Sequence, residues 1–383
     1  MLWIIGTSVS IEEGGYFSRL ALRLHTGPGI AVRNLSVGDQ TSLMGCMRVM
    51  MHRDDFAPGD VVVWEYSLLD TLCASLFAED DVRGARRMAW RHLLERGVHL
   101  LVLMTPPREH LLHCSRQEAE TAADAALLGV PCIDGRALFA DLGVTDAAAH
   151  YRDDRHPRQD SPVVDMMAAR VFDAVVARHG CRRTLPESSR AEHWLTLGVP
   201  PWRWLDTATI ARDGAASTMT FSNSLTSVES VTLAVAERVA IAAARRIIGV
   251  GIVSTHASGG LWCGHPDCAA VSTRLPEDLG YPFLLRSTTL PCQHARIDTL
   301  ASAPAGAYGA HVCAAYGQAR CRATGPVAVF GLLYEPSDDG DTTLRHRFLC
   351  WLRRRDDLRF LQADTHFARV ERKLRLYARR LLR

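Results

Sequence analysis

From the first residue to about residue 180, short β-prone apolar runs alternate with longer stretches of helical period, the pattern of a parallel sheet covered by helices. Leu2 to Ile5, Ala31 to Leu35, Val61 to Tyr66, Leu100 to Met104 and Val130 to Ile133 read as strands. Between them, Tyr16 to His25, Met44 to His52, Val82 to Glu95, Gln117 to Leu128 and Ser161 to Arg178 read as helices. Pro58-Gly59-Asp60 and Pro106-Pro107 punctuate the third and fourth strands. An α/β domain is therefore expected over residues 1–182.

The pattern breaks where Pro186, Pro200 and Pro201 cluster, which predicts a linker over 183–216. Beyond it, Met219 to Asn223, Ser230 to Ala236, Ile247 to Thr255, Phe283 to Ser287, His311 to Tyr316 and Val327 to Tyr334 are short and β-prone, separated by Gly, Pro, Asp and Ser. They predict an antiparallel, β-sandwich-like accessory domain over 217–340, although the Ala-rich run Val235 to Arg246 also fits a helix. Helical spacing returns over 341–383, where Arg353, Arg354, Arg355, Arg379 and Arg380 stand among Leu, Phe, Trp and Tyr. That end reads as a basic, amphipathic helical tail, docked on the body or in peripheral contact with an anionic membrane or a partner protein.

Length and composition narrow the class. At about 100–200 residues per domain, 383 residues predict two to three domains, and 48% hydrophobic with 22% charged residues is globular composition. The formal charge of +2, from 44 basic and 42 acidic residues, argues against nucleic acid as the partner. No apolar run reaches the roughly 18 uncharged residues of a membrane span, and no basic region precedes the first apolar run as in a secretory signal. Eleven scattered cysteines, an odd number, fit a reducing compartment, so a cytoplasmic protein is expected.

Candidate chemistry concentrates in the first domain. The first strand runs into Gly6-Thr7-Ser8-Val9-Ser10, which places Ser8 just past a strand's carboxyl end, where open α/β sheets bind ligands. Far downstream, His150-Tyr151-Arg152-Asp153-Asp154-Arg155-His156-Pro157 carries an Asp three residues before a His. A serine hydroxyl needs a base to act as nucleophile, and the imidazole needs a carboxylate to hold its tautomer. Asp153 and His156 supply both from one turn, with Asp154 as the competing carboxylate.

On these residues the first domain, residues 1–180, resembles the SGNH (GDSL-like) serine hydrolase superfamily. The resemblance implies a flavodoxin-like three-layer fold with Ser8, Asp153 and His156 as the catalytic triad. Gly6-Thr7-Ser8-Val9 is similar to the family's first block, and Asn34-Leu35-Ser36-Val37-Gly38 to the second, which implies an oxyanion hole formed by the backbone N–H groups of Ser8 and Gly38. Asp153-Asp154-Arg155-His156-Pro157 is similar to the last block. The third block departs: in Ser67-Leu68-Leu69-Asp70, Leu69 stands where the family has an oxyanion asparagine, and Gln40, Thr41, Ser67 and Asn34 are the candidate replacement donors. The resemblance implies an esterase that removes an O-acyl group, an acetyl in the first instance, from a carbohydrate or related small ester. An O-acyltransferase of surface polysaccharide synthesis and a non-catalytic glycan-binding or scaffold protein are the alternatives.

In the second domain, Cys263, His265 and Cys268 in one loop, with Cys292 and His294 further on, have the donors of a four-coordinate zinc site but match no standard spacing. Ordinary buried thiols and loop histidines stand ahead of that reading, so no metal or cofactor is assigned.

Overall fold

A computed structural model describes residues 1–336, except 75–76, 145, 182–193, 195, 214–216, 224–225, 242–243, 263–269, 276–279, 291–298, 304–307, 312–319 and 323–324. The first part of the chain runs β1 (Leu2–Gly6), α1 (Tyr16–Thr26), β2 (Val32–Asn34), α2 (Ser42–Met51), β3 (Val61–Glu65), α3 (Ser67–Leu72), α4 (Glu79–Glu95), β4 (His99–Met104), α5 (Arg116–Leu127), β5 (Cys132–Asp134), α6 (Gly135–Asp141) and α7 (Pro162–Val176). Its five strands form one parallel sheet in the order β2-β1-β3-β4-β5.

Both faces of that sheet are covered. Successive side chains of a strand point to opposite faces, and here each face meets helices. Leu2, Ile4, Val61, Val63, Leu101 and Leu103 pack with residues of α1, α6 and α7. Trp3, Ile5, Val62, Trp64, Leu100 and Val102 pack with residues of α2, α4 and α5. This explains why β1 and, up to Glu65 at its end, β3 read as continuous apolar runs and not as alternating ones. The domain is the flavodoxin-like three-layer α/β fold that the sequence predicts.

Helix starts are written locally. Thr41 caps α2, Ser115 and Glu118 form a capping box on α5, and Ser161 caps α7 ahead of Pro162 at its first turn.

The second part of the chain holds β6 (Arg203–Asp206), α8 (Thr207–Asp213), β7 (Ser217–Ser222), β8 (Ser227–Leu233), β9 (Arg238–Ala240), β10 (Ala244–Ser254), β11 (Gly260–Trp262), β12 (Ala270–Ser272), β13 (Leu284–Thr288), β14 (Thr299–Ser302), β15 (Tyr308–His311), β16 (Arg320–Arg322) and β17 (Val327–Pro336). One sheet has the order β13-β10-β17-β8-β7, with β6 also on β17, and the other has the order β16-β15-β12-β11-β14-β9. Val231, Ile252 and Leu332 from the first meet Val239, Leu261 and Leu300 from the second in one apolar cluster, which makes the pair a sandwich.

Three expectations need correction. The predicted linker 183–216 contains β6 and α8, because Arg203–Asp206 finds its partner in the second half of a long strand: Tyr334 to Gly331 pair with β6, and Val327 to Val329 pair with β8. Gly331, at φ 154°, lies at that handover under the ring of Trp204. The Val235–Arg246 run is not a helix; it holds β9 and the start of β10. The sandwich is also not wholly antiparallel, since β12 and β15 pair in parallel.

The outer face of the first sandwich sheet packs on the α/β domain. Val228, Ile248, Phe283, Leu285 and Phe330 belong to the same buried cluster as Leu43, Met44 and Met47 of α2. At Gly249 a Cβ would stand 2.8 Å from Leu43 Cδ1, so the missing side chain lets helix and strand approach. Residues 1–338 form one unit. The predicted tail, 341–383, lies outside the described residues.

Candidate active site

The site forms where the carboxyl end of β1 meets the loop before α7. At Gly6 a Cβ would stand 2.6 Å from Ser10 Oγ and 2.9 Å from Glu65 Oε2, so only glycine lets the chain fold back there. The Thr7 hydroxyl then caps a short 3₁₀ turn, Ser8–Ser10, by accepting from the Val9 N–H. Beneath the turn, Glu65 at the end of β3 is fully buried. Its Oε2 accepts from the Thr7 N–H at 3.0 Å, the Thr7 hydroxyl at 2.8 Å and the Ser10 hydroxyl at 3.1 Å. Burial pushes this carboxyl up to about 7, against the donors of Thr7 and Ser10, which favour its charge.

The opposite wall is the loop Tyr151 to Pro157, closed on itself by a bridge between those two residues. The Tyr151 hydroxyl anchors it by donating to the Pro106 carbonyl at 2.6 Å. Within it, one Asp153 oxygen accepts the N–H groups of Arg155 and His156, each at 2.8 Å. That Asx turn is the physical content of the Asp-x-x-His spacing, since it brings the carboxylate back to its own histidine. His156 Nδ1 lies 2.9 Å from Asp153 Oδ2, and His156 Nε2 lies 2.7 Å from Ser8 Oγ. Burial opposes ionisation of Asp153, yet the Arg155 N–H, the His156 ring and the His156 N–H outweigh it and hold the carboxyl at about 2. Asp154 turns away to pair with Arg108 and is 74% exposed, which removes it as the orienting carboxylate.

Gly38 stands against Ser8: a Cβ there would lie 3.6 Å from Ser8 Cβ. Among the described residues no acceptor meets the backbone N–H of Ser8 or Gly38. Leu69 is 1% exposed and packs in the apolar cluster that holds Val9 and Leu68. Of the candidate replacement donors, Asn34 gives its amide to the Ser10 carbonyl at 2.7 Å, Thr41 caps α2, and Gln40 bonds to the second domain. Ser67 Oγ is buried without a partner among the described residues.

The sequence reading missed Glu65 and the ion pair of Arg155 with Asp39, at 2.9 Å, which links the histidine loop to the loop of Gly38. The signal for Glu65 was an acid inside an otherwise apolar strand. Cys263, His265, Cys268, Cys292 and His294 lie outside the described residues, among which no cluster of three or more metal-ligating side chains occurs. No helix among the described residues is long and apolar enough to cross a membrane.

Strand order, a serine past β1 and a histidine–aspartate pair before α7 define the class of this domain: a flavodoxin-like α/β domain with a hydrogen-bonded Ser-His-Asp array. No protein-family model matches the chain, and no curated protein matches it. Several solved structures are similar in part. Protein YXIM of Bacillus subtilis is 19% identical with a TM-score of 0.38, over 47% of this chain and 57% of that one. The psychrotrophic esterase EstA from Pseudoalteromonas sp. is 13% identical with a TM-score of 0.36, over 46% of this chain and 96% of that one. A member of the lipolytic G-D-S-L family from Veillonella parvula is 13% identical with a TM-score of 0.36, over 45% and 96%. The chain thus spans little more than half the length of the Bacillus protein.

Proposed function

We propose that the protein is a serine ester hydrolase that removes an O-acyl group, an acetyl in the first instance, from a carbohydrate or related small ester. The observation that carries this reading is the unbroken hydrogen-bond chain Ser8 Oγ, His156 Nε2, His156 Nδ1, Asp153. His156 takes the Ser8 proton as Oγ attacks the ester carbonyl, and the N–H groups of Ser8 and Gly38 hold the oxyanion. Collapse expels the alcohol, which receives the proton from His156. Water, deprotonated by the same ring, then releases the acid from acyl-Ser8. Asp153 stays ionised throughout and stabilises the imidazolium. With Leu69 the third donor of the family pattern is missing, and a lost oxyanion donor costs about a hundred- to a thousandfold in turnover, so this is a slow catalyst unless Ser67 replaces it.

The carbohydrate part of the reading is supported by a β-sandwich whose strand β13 lies beside the Gly38 loop. The thiols of Cys46, Cys114, Cys132 and Cys181, which form no disulfide among the described residues, suit action in the cytoplasm. The test is release of acetate from acetylated xylan and from p-nitrophenyl acetate. Ser8→Ala and His156→Ala should lower turnover by about a thousandfold or more, and Asp153→Asn by less, because the carboxylate orients the base and does not react. Unchanged release by Ser8→Ala removes the reading. Acetate transferred to an added sugar, with little released to water, favours acyl transfer from the same acyl-Ser8.

A further inference from the structure

Gln40 lies two residues after Gly38 and is 5% exposed. Its Oε1 accepts from the backbone N–H of Ser287 at 2.8 Å and from the Ser287 hydroxyl at 3.1 Å. Its Nε2 donates to the Asp39 carbonyl at 2.8 Å. Ser287 belongs to β13, an edge strand of its sheet, and an edge strand has backbone N–H groups that no neighbouring strand takes up. The α/β domain uses one of these as an anchor.

Between Gly38 and Gln40, Asp39 has φ 57°, a left-handed conformation that a residue with a side chain holds only when its surroundings over-determine it. The surroundings do so from two sides. Gln40 bonds the Asp39 carbonyl, and Arg155 Nη1 lies 2.9 Å from Asp39 Oδ1. Arg155 immediately precedes His156 and gives its own N–H to Asp153.

We infer that the second domain sets the position of the Gly38 N–H: β13 holds Gln40, Gln40 holds Asp39 in its left-handed turn, and Asp39 is tied through Arg155 to the loop of His156. Gln40 and Ser287 are positioning residues, and the sandwich is a structural part of the reaction site. The inference rests on the reading of Gly38 as an oxyanion donor. It assigns the second domain a role that does not depend on sugar binding.

The test is steady-state kinetics of the full chain on p-nitrophenyl acetate, with inhibition by phenylboronic acid as a second readout. The boronate adduct on Ser8 is tetrahedral and places an oxygen in the same hole. Gln40→Met keeps the side-chain length and loses all three bonds. A displacement of about 1 Å costs on the order of a hundredfold, so kcat should fall by about that factor with KM little changed, and boronate affinity should fall in parallel. Ser287→Ala removes only the hydroxyl donor, so its kcat should fall about fivefold, the equivalent of one ordinary hydrogen bond. Should Gln40→Met not unfold cooperatively, Ser287→Ala alone decides. Wild-type kcat in the folded variants, or a rise in KM with kcat kept, overturns the inference and leaves the hydrolase reading standing. A wild-type chain that neither turns over ester nor binds boronate overturns both.

Discussion

Glu65 shows most directly how a single buried group is tied to the site, because the donors of Thr7 and Ser10 that it collects are the ends of the turn that carries Ser8. Its carboxyl rises from 4.5 to about 7, mainly through burial. Between those values the folded chain keeps a proton that the unfolded chain has lost, so stability falls as pH rises from 4.5 to 7 and levels off beyond. The difference corresponds to about 3 kcal/mol. Urea unfolding at pH 5 and pH 8 should show Glu65→Gln losing about 2 to 3 kcal/mol less than the wild type between the two; equal losses would contradict the assignment. Asp70, raised to about 6 mainly by burial, acts with the same sign in both proteins. At this scale the sequence was legible wherever function needs a fixed local spacing. Asp153 and His156 could be read together because one Asx turn joins them. Glu65, Asp39 and Arg155 could not, because their partners are 58 and 116 positions away.

Among the elements, α2 differs from the other helices by having eight of its ten residues buried. A helix buried on nearly all sides is enclosed by its neighbours, and here one side lies on the parallel sheet and the other on the sandwich. Gly45 permits the first contact: a Cβ there would stand 2.5 Å from Tyr66 Cε2 and 2.6 Å from Trp64 Cη2, both on rigid rings. Gly45→Ala, although it favours the helical backbone, should destabilise by about 2 kcal/mol through overpacking. Urea unfolding checks this, and an equal or raised midpoint would contradict it. The longer strands and helices were legible because each repeats its period several times. α3 and α6 were not, since six and seven residues are too few turns to show one. β6 was hidden among prolines because the partner that makes it a strand lies more than a hundred residues away.

For the whole molecule, the shared cluster of α2 with β10, β13 and β17 means that the α/β domain is not a self-sufficient half. A chain ending at residue 182 would expose Leu43, Met44 and Met47 and release Gln40 from Ser287. It should aggregate or unfold without a cooperative transition, as light scattering and thermal unfolding would show; a soluble, cooperatively folding fragment would contradict the shared core. The sequence announced two domains but not this junction, because the apolar positions on α2 and β10 look the same whichever surface covers them. The central claim is that Ser8 is a nucleophile activated by His156 and Asp153, and it is tested by mapping the adduct of a fluorophosphonate probe on the full chain by mass spectrometry. One adduct is expected, on Ser8, formed rapidly by the wild type, slowly by Asp153→Asn and not by Ser8→Ala or His156→Ala. An unlabelled wild type, or a Ser8→Ala chain labelled as fast as wild type, would contradict it.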